Sequence, residues 1–188
     1  MVKNYYVKNM VCDRCIKVIS DELGDKNIVL LEIELGRLKL DIDDALEKNV
    51  LIPILEDNGF SLIKSPEKQL VEQIKIELIK LLKELPLNMQ RNLSTYLEEK
   101  LNIDYSKISK LFSLNEHITI EKYFIKLKIE KAKELVQTNK QNFTEIGQLL
   151  GYSSLTHLSN QFKTETGMSL SNYKANNRNF RRPLDGIL

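Results

Sequence analysis

A chain of 188 residues with 42% hydrophobic and 29% charged side chains can bury one moderate core or two small ones, which excludes an intrinsically disordered protein. The amino-terminal MVKNYYVKNM lacks the apolar run of a signal peptide, and no stretch reaches the roughly 18 apolar residues of a membrane span, so a cytoplasmic protein with no membrane partner is expected. The formal charge of +2 hides an asymmetry: residues 1–65 hold 9 Lys and Arg against 12 Asp and Glu, net −3, and residues 66–188 hold 19 against 14, net +5. The basic excess lies in the second part, where Lys and Arg would displace the counterions of nucleic-acid phosphates.

In chain order, Tyr5-Tyr6-Val7 is β-prone, and Cys15 to Leu23 has helical spacing through Ile16, Ile19 and Leu23. Ile28 to Leu35 and Leu38 to Ile42 alternate apolar residues about a Gly36-Arg37 turn. Asp43 or Asp44 caps a helix running through Leu55, Gly59 ends it, and Phe60 to Ile63 forms a strand. The order is βαββαβ, so an α+β, ferredoxin-like domain is expected over residues 1–65.

Cys12 and Cys15 are the chain's two cysteines, too few for a secreted disulfide framework. They lie in Met10-Val-Cys12-Asp-Arg-Cys15, between the first strand and first helix. This loop, the element order and Gly59-Phe60 resemble the heavy-metal-associated domain of copper chaperones and metal-exporting ATPases over about residues 3–64. The resemblance implies a soft ion on Cys12 and Cys15, best Cu(I), with Zn(II) as an alternative. The helix amino terminus is expected to lower the second thiol's pKa, and the loop to leave both sulfurs exposed. Met10 is read as core rather than ligand. Phe60 holds the position that shields the metal loop in the family, and also reads as a core aromatic. Asp13 and Arg14 replace the small residues common between the cysteines, which leaves the metal's identity open.

After Ser65-Pro66, a helix over Glu67 to Leu85 carries Leu70, Val71, Ile74, Leu78, Leu81 and Leu82 on one broad stripe, and Pro86 stops it. Residues 66–86 are read as a linker helix whose stripe either docks on the neighbouring domains or forms the seam of a homodimer. From Leu87 to about Lys174 the chain reads as helical, with breaks near 102–104, 115–117, 139–142 and at Gly151.

A repeat runs through that part at a displacement of 50 positions: Ser106-Lys-Ile-Ser-Lys-Leu-Phe112 matches Thr156-His-Leu-Ser-Asn-Gln-Phe162, Ile118-Thr-Ile120 matches Met168-Ser-Leu170, and Tyr123 matches Tyr173. Around the second copy, FTEIGQLLGYSSLTHLSNQFKTETGMSLSNYK (Phe143 to Lys174) closely resembles the second helix-turn-helix of the AraC/XylS family. YSKISKLFSLNEHITIEKY (Tyr105 to Tyr123) resembles the first, with His117 where the family has glycine and Ile120 where it often has proline. A different turn is therefore expected at His117.

The resemblance implies an all-α domain over residues 87–188 with two helix-turn-helix units, joined by a long helix from Ile120 to Gln137 that contains Lys126, Lys128, Lys131 and Lys133. It also implies a transcriptional regulator whose partner is double-stranded DNA, and the transcription machinery if it activates. The family's base-reading positions fall on Ser106, Ser109 and Lys110 in the first unit and Thr156, His157 and Asn160 in the second. Lys110 suits guanine, Asn160 adenine, and the hydroxyls are permissive. Lys107, Lys163 and the tail arginines Arg178, Arg181 and Arg182 are phosphate candidates.

No glycine-rich phosphate loop, catalytic carboxylate pair or nucleophile triad is visible, so an enzyme is not expected. The competing readings are a metal chaperone or buffer, or a thiol-redox sensor, whose helical half is an interaction module.

Overall fold

The computed structural model describes residues 1–87, 92–176 and 181–187. The chain divides into two compact units, Met1–Ile76 and Glu77–Leu188.

In the first unit the elements are β1 (Val2–Lys8), α1 (Asp13–Asp25), β2 (Val29–Glu34), β3 (Arg37–Asp41), α2 (Asp44–Leu46), a π-helical stretch Glu47–Leu51 leading into α3 (Ile52–Asp57), and β4 (Ser61–Leu62). The four strands form one antiparallel sheet in the order β2-β3-β1-β4. Alternation decides which face is buried: Tyr5 and Val7 of β1 and Leu38 and Leu40 of β3 point inward, and Tyr5 pairs with Leu38 across the strands. α1 covers this face with Ile19 and Leu23, four residues apart and both fully buried, and α3 adds Ile54 and Leu55. A bulge between Leu30 and Glu32 in β2 shifts its register on β3.

Two predicted boundaries move for local reasons. α1 starts at Asp13 rather than Cys15, because Cys12 takes the extended N-cap conformation and its carbonyl accepts the N–H of Cys15 (3.0 Å) and Ile16 (3.3 Å). The last strand shrinks to Ser61–Leu62, because Phe60 N–H is spent closing the end of α3 on the Leu55 carbonyl at 2.8 Å.

α4 (Pro66–Lys83) contributes residues to both units. Within the first, it is set against the β2-β3 turn. Gly36 has φ +71° and its carbonyl accepts Val7 N–H at 2.9 Å, while a Cβ on Gly36 would lie 2.0 Å from Ile76 Cδ1. The left-handed backbone of the turn favours glycine, and a side chain there would also have to push the tip of Ile76 aside.

The second unit continues with α5 (Leu93–Leu101), α6 (Tyr105–Glu116), α7 (Ile120–Thr138), α8 (Phe143–Leu149), α9 (Leu155–Thr166) and α10 (Leu170–Ala175). Every α7–α10 start is capped by a side chain: Thr119, Asn142, Ser154 and Ser169 each accept the N–H three residues on. At α8 the cap is reciprocal, since Glu145 also accepts Asn142 N–H at 2.8 Å. The start of helix expected near Leu87 is observed at Leu93; residues 88–91 lie outside the described residues. Among the described residues no helix is long and apolar enough to cross a membrane.

Candidate nucleic-acid interface and thiol loop

The repeat seen in the sequence is a repeat of packing. α6 and α9 each span 12 residues, beginning 50 positions apart. On their inner faces Ile108 and Phe112 of α6, and Leu158 and Phe162 of α9, are fully buried. Phe112 meets Tyr123 at 5.5 Å between ring centroids, and Phe162 meets Tyr173 at 5.4 Å. Ile120 and Leu170 open the following helices and are likewise buried.

With the inner faces so fixed, the outer faces follow from helical spacing. On α9, Thr156, Asn160 and Lys163 are exposed at i, i+4 and i+7; on α6, Lys107, Lys110 and Leu114 are exposed at i, i+3 and i+7. Ser106 is exposed, yet its hydroxyl donates to the carboxylate of Asp104, the residue that caps α6 and accepts Ser106 N–H at 2.9 Å. That contact and the N–H bond hold the Asp104 carboxyl below its usual range. Ser109 is half-buried. His157 is exposed, with Nδ1 at 3.3 Å from the Ser153 hydroxyl and its ring edge-on to Tyr152 at 5.2 Å. Two further outer-face residues, outside the base-reading positions, are apolar: Leu114, 65% exposed, and Leu155, 38% exposed. The signal in the sequence is an apolar residue that falls outside the buried stripe of its helix.

Charged groups of the tail and of α7 are engaged within the second unit. Arg181 is engaged by Glu134 at 2.9 Å, and Arg182 gives its backbone N–H to Glu130 at 2.9 Å, so the tail is tied to α7 by carboxylates; Arg178 lies outside the described residues. The α7 lysines are also used within the unit: Lys126 pairs with Glu165 (3.8 Å), Lys131 with Glu134 (2.7 Å), and Lys133 with Glu130 (2.5 Å). Lys128 donates to the Leu150 carbonyl at 3.2 Å and sits 3.9 Å from the Tyr152 ring centroid, and burial pushes its pKa down to about 8. The exposed lysines of α6 and α9 are Lys107, Lys110 and Lys163.

The turn at His117 does not differ from its counterpart. His117 has φ +57° and Gly167 φ +76°, both left-handed, and each closes its helix by donating to the carbonyl four residues back, at 3.0 and 2.8 Å.

In the first unit, Cys12 and Cys15 are free thiols with their sulfurs 3.1 Å apart. Both are half-buried rather than exposed. Contrary to the expectation from the helix terminus, the Cys15 thiol is pushed up: burial raises it most and the neighbouring Cys12 sulfur adds to that, outweighing the downward pull of the Val11 and Cys12 backbone groups. Met10 is fully buried and Phe60 is part of the core. Among the described residues no group of three or more His, Cys, Asp or Glu is placed to hold a metal, and His117 and His157 belong to the other unit.

Residues 97–176 match the family model described as a helix-turn-helix domain. The Msm operon regulatory protein of Streptococcus mutans is 26% identical over 76 residues, 40% of this chain and 27% of that protein. The chain thus spans about a quarter of the length of this curated relative. Among solved structures, the C-terminal domain of AraT, a response regulator from Geobacillus stearothermophilus, has a TM-score of 0.51 at 22% identity, covering 63% of this chain and 93% of that one. The C-terminal domain of the two-component response regulator yesN from Fusobacterium nucleatum has a TM-score of 0.46 at 26% identity, over 58% of this chain and 99% of that one. The AraT likeness bears on fold alone. With the paired α6 and α9 units and the family model, it identifies residues 97–176 of this chain as an all-helical helix-turn-helix domain.

Proposed function

We propose that this protein is a sequence-specific DNA-binding transcriptional regulator of the cytoplasm, controlled by a soft metal ion at its thiol loop. The observation that carries the DNA half is the pair of 12-residue helices α6 and α9, packed by the same ring contacts and presenting polar outer faces. A helix held by one face and polar on the other suits the major groove, where side chains meet base edges. The printed name of the curated relative, an operon regulatory protein, supports the same reading.

On this reading Lys110 and Asn160 carry most of the base discrimination, with Ser106, Ser109, Thr156 and His157 beside them, and Lys107 and Lys163 anchor phosphates. Replacing Lys110 or Asn160 by Ala should cost about 1–3 kcal/mol on a specific duplex, while Lys163→Ala should weaken all duplexes alike and lower the salt slope by about 1. Titrations of a duplex from the gene's own upstream region and of an unrelated duplex, at several salt concentrations, separate the two. Equal, sequence-independent losses at all three positions would reject these base readers.

For the first unit, the reading is a ferredoxin-like, heavy-metal-associated domain over residues 1–65, with residues 66–86 as the linker helix. Its support is the element order, the sheet order β2-β3-β1-β4 and the placement of the thiols between β1 and α1. The donor chemistry fits: two half-buried thiols side by side suit a soft ion of low coordination number such as Cu(I), while Zn(II) would need donors from another molecule or solvent. Cys12 and Cys15 would hold the ion, whose presence replaces both thiol protons by metal-sulfur bonds. It alters DNA affinity only if it favours one arrangement of the chain over another, and the effect is then reciprocal. Duplex titrations of reduced protein with and without Cu(I) or Zn(II), repeated on Cys12→Ser and Cys15→Ser, test this. A typical coupling is about 5- to 150-fold in affinity. Coincident wild-type curves for every soft metal that binds would end the metal-sensor reading and leave a regulator answering to another signal.

A further inference from the structure

We infer that Asn9 and Glu72 are positioning residues that tie the thiol loop to α4, so that a ligand on the cysteines is felt by that helix. The inference rests on the reading that Cys12 and Cys15 take a soft ligand, but its chemistry is carried by other residues.

Asn9 stands at the junction of β1 and the loop, in a left-handed conformation with φ +70° that a non-glycine residue seldom adopts. Three of its polar groups go to three different places. The backbone N–H donates to Glu72 Oε1 of α4 at 3.0 Å, and the side-chain Nδ2 donates to the Gly59 carbonyl at 3.2 Å. Its own carbonyl receives the Cys15 Sγ at 4.0 Å. One residue therefore touches the thiol, the corner before β4 and the helix, and its unusual backbone is held by all three contacts at once.

Glu72 is only 5% exposed. A carboxylate at that depth is stable where donors meet it, and a backbone N–H fixed in space is a demanding partner: a small rotation of Asn9 misaligns it. Ile76, one helical turn further along the same face, lies against Gly36, whose carbonyl is bound to Val7 of β1. The first turns of α4 are thus registered on β1 and the β2-β3 turn at residues 72 and 76. From there the helix runs unbroken to Lys83.

A ligand bound to both sulfurs takes the place of the Cys15 thiol proton, and the Asn9 carbonyl then loses its donor. With one of three restraints gone, the left-handed backbone of Asn9 relaxes and its N–H turns away from Glu72. The loop's state is in this way converted into the hydrogen bonding of a helix that leads out of the first unit.

The experiment follows the backbone amides of Asn9 and of residues 67–83 by NMR in the full reduced chain. One arm adds one equivalent of Cu(I) without oxygen, and the other alkylates both thiols with iodoacetamide, which needs no metal binding. In the wild type both arms should shift the Asn9 amide and the amides of residues 69–76, with no such change in the Cys12→Ser, Cys15→Ser double variant. Glu72→Gln keeps an oxygen acceptor and should keep the response. Glu72→Leu should still bind one Cu(I), but its helix amides should stay still, and its Asn9 amide should exchange at least about tenfold faster in the unligated protein. Where Glu72→Leu does not fold, Asn9→Gly decides: it retains both backbone groups but frees the strained backbone and drops the Gly59 tether, so the helix response should fall at least about twofold. Helix amides that respond in Glu72→Leu as in wild type, a response unchanged in Asn9→Gly, or a wild-type helix that ignores alkylation would overturn the inference. Failure to bind Cu(I) together with a helix that answers to alkylation would remove the metal reading and leave the tie between loop and helix standing.

Discussion

The two helix-turn-helix units agree where they are buried and differ where they are exposed. Phe112 and Phe162, Tyr123 and Tyr173, Ile108 and Leu158, Ile120 and Leu170 occupy matching places, and the two ring pairs differ by only 0.1 Å in centroid distance. On the surface, Ser106 faces Thr156 in the alignment, Lys107 faces His157, Lys110 faces Asn160, Ser113 faces Lys163 and Leu114 faces Thr164. Close packing leaves little freedom to a buried side chain, since a single lost methylene is felt, whereas an exposed one is free to take up a separate task. On the proposed function, two copies with one interior and two exteriors suit a reader of two unlike stretches of DNA.

The largest expected effect breaks the agreement inside. Phe112→Ala and Phe162→Ala each empty a fully buried ring site beside a tyrosine, and each should cost about 3–5 kcal/mol in denaturant unfolding of the second unit. Matching losses would show that the repeated packing is matched in energy. A loss under about 1 kcal/mol at either position would mean that one copy is held by something other than its ring pair.

A smaller effect comes from the corner where the copies use different residues in the same backbone conformation. Gly167 at φ +76° suffers no steric penalty, and nothing lies within 4 Å of a Cβ added there, so Gly167→Ala isolates the backbone cost at about 1–2 kcal/mol. His117 already bears that cost at φ +57°, and His117→Gly should stabilise by up to about 1 kcal/mol, reduced by the extra freedom of glycine in the unfolded chain. Thermal or urea unfolding of the two variants gives both signs; destabilisation by His117→Gly would show that the imidazole makes a contact worth more than the strain.

Much of this was legible because periodicity and displacement report burial. The order of strands and helices in the first unit, the inner faces of α6 and α9, and the breaks at 102–104 and 139–142 follow from spacing alone. What was not legible depends on contacts distant in sequence. A left-handed His117 cannot be told from a differently turned one without its carbonyl partner at Ser113. The raised Cys15 thiol reflects depth of burial, which the favourable position at a helix start does not reveal. Arg181 reads as a solvated phosphate contact until Glu134, 47 residues earlier, is seen beside it. The N–H from Asn9 to Glu72 spans 63 residues and no pattern announces it.

The smallest effect sharpens the comparison through a group that serves the second copy: Lys128, which donates to the Leu150 carbonyl and lies over Tyr152. Burial lowers its pKa from 10.5 to about 8 in the folded chain. Between those two values the unfolded chain holds the proton that the folded chain has released, so stability contributed by this site rises with pH across that window and is level below it. Tyr96 works in the opposite sense above about pH 10: burial, then the Glu77 carboxylate, push its hydroxyl up to about 12, so the unfolded chain ionises first and stability falls. Comparison with Lys128→Met removes the tyrosine and thiol contributions, which both proteins share. Because Lys128 keeps partial access to solvent, the difference in unfolding free energy should be modest, growing in favour of the wild type by roughly 1 kcal/mol between pH 8 and 10. Urea midpoints for both proteins at half-unit steps from pH 7.5 to 10 measure it. Parallel curves would mean that the Leu150 carbonyl and the Tyr152 ring offset the burial of the charge, and that Lys128 stays protonated throughout.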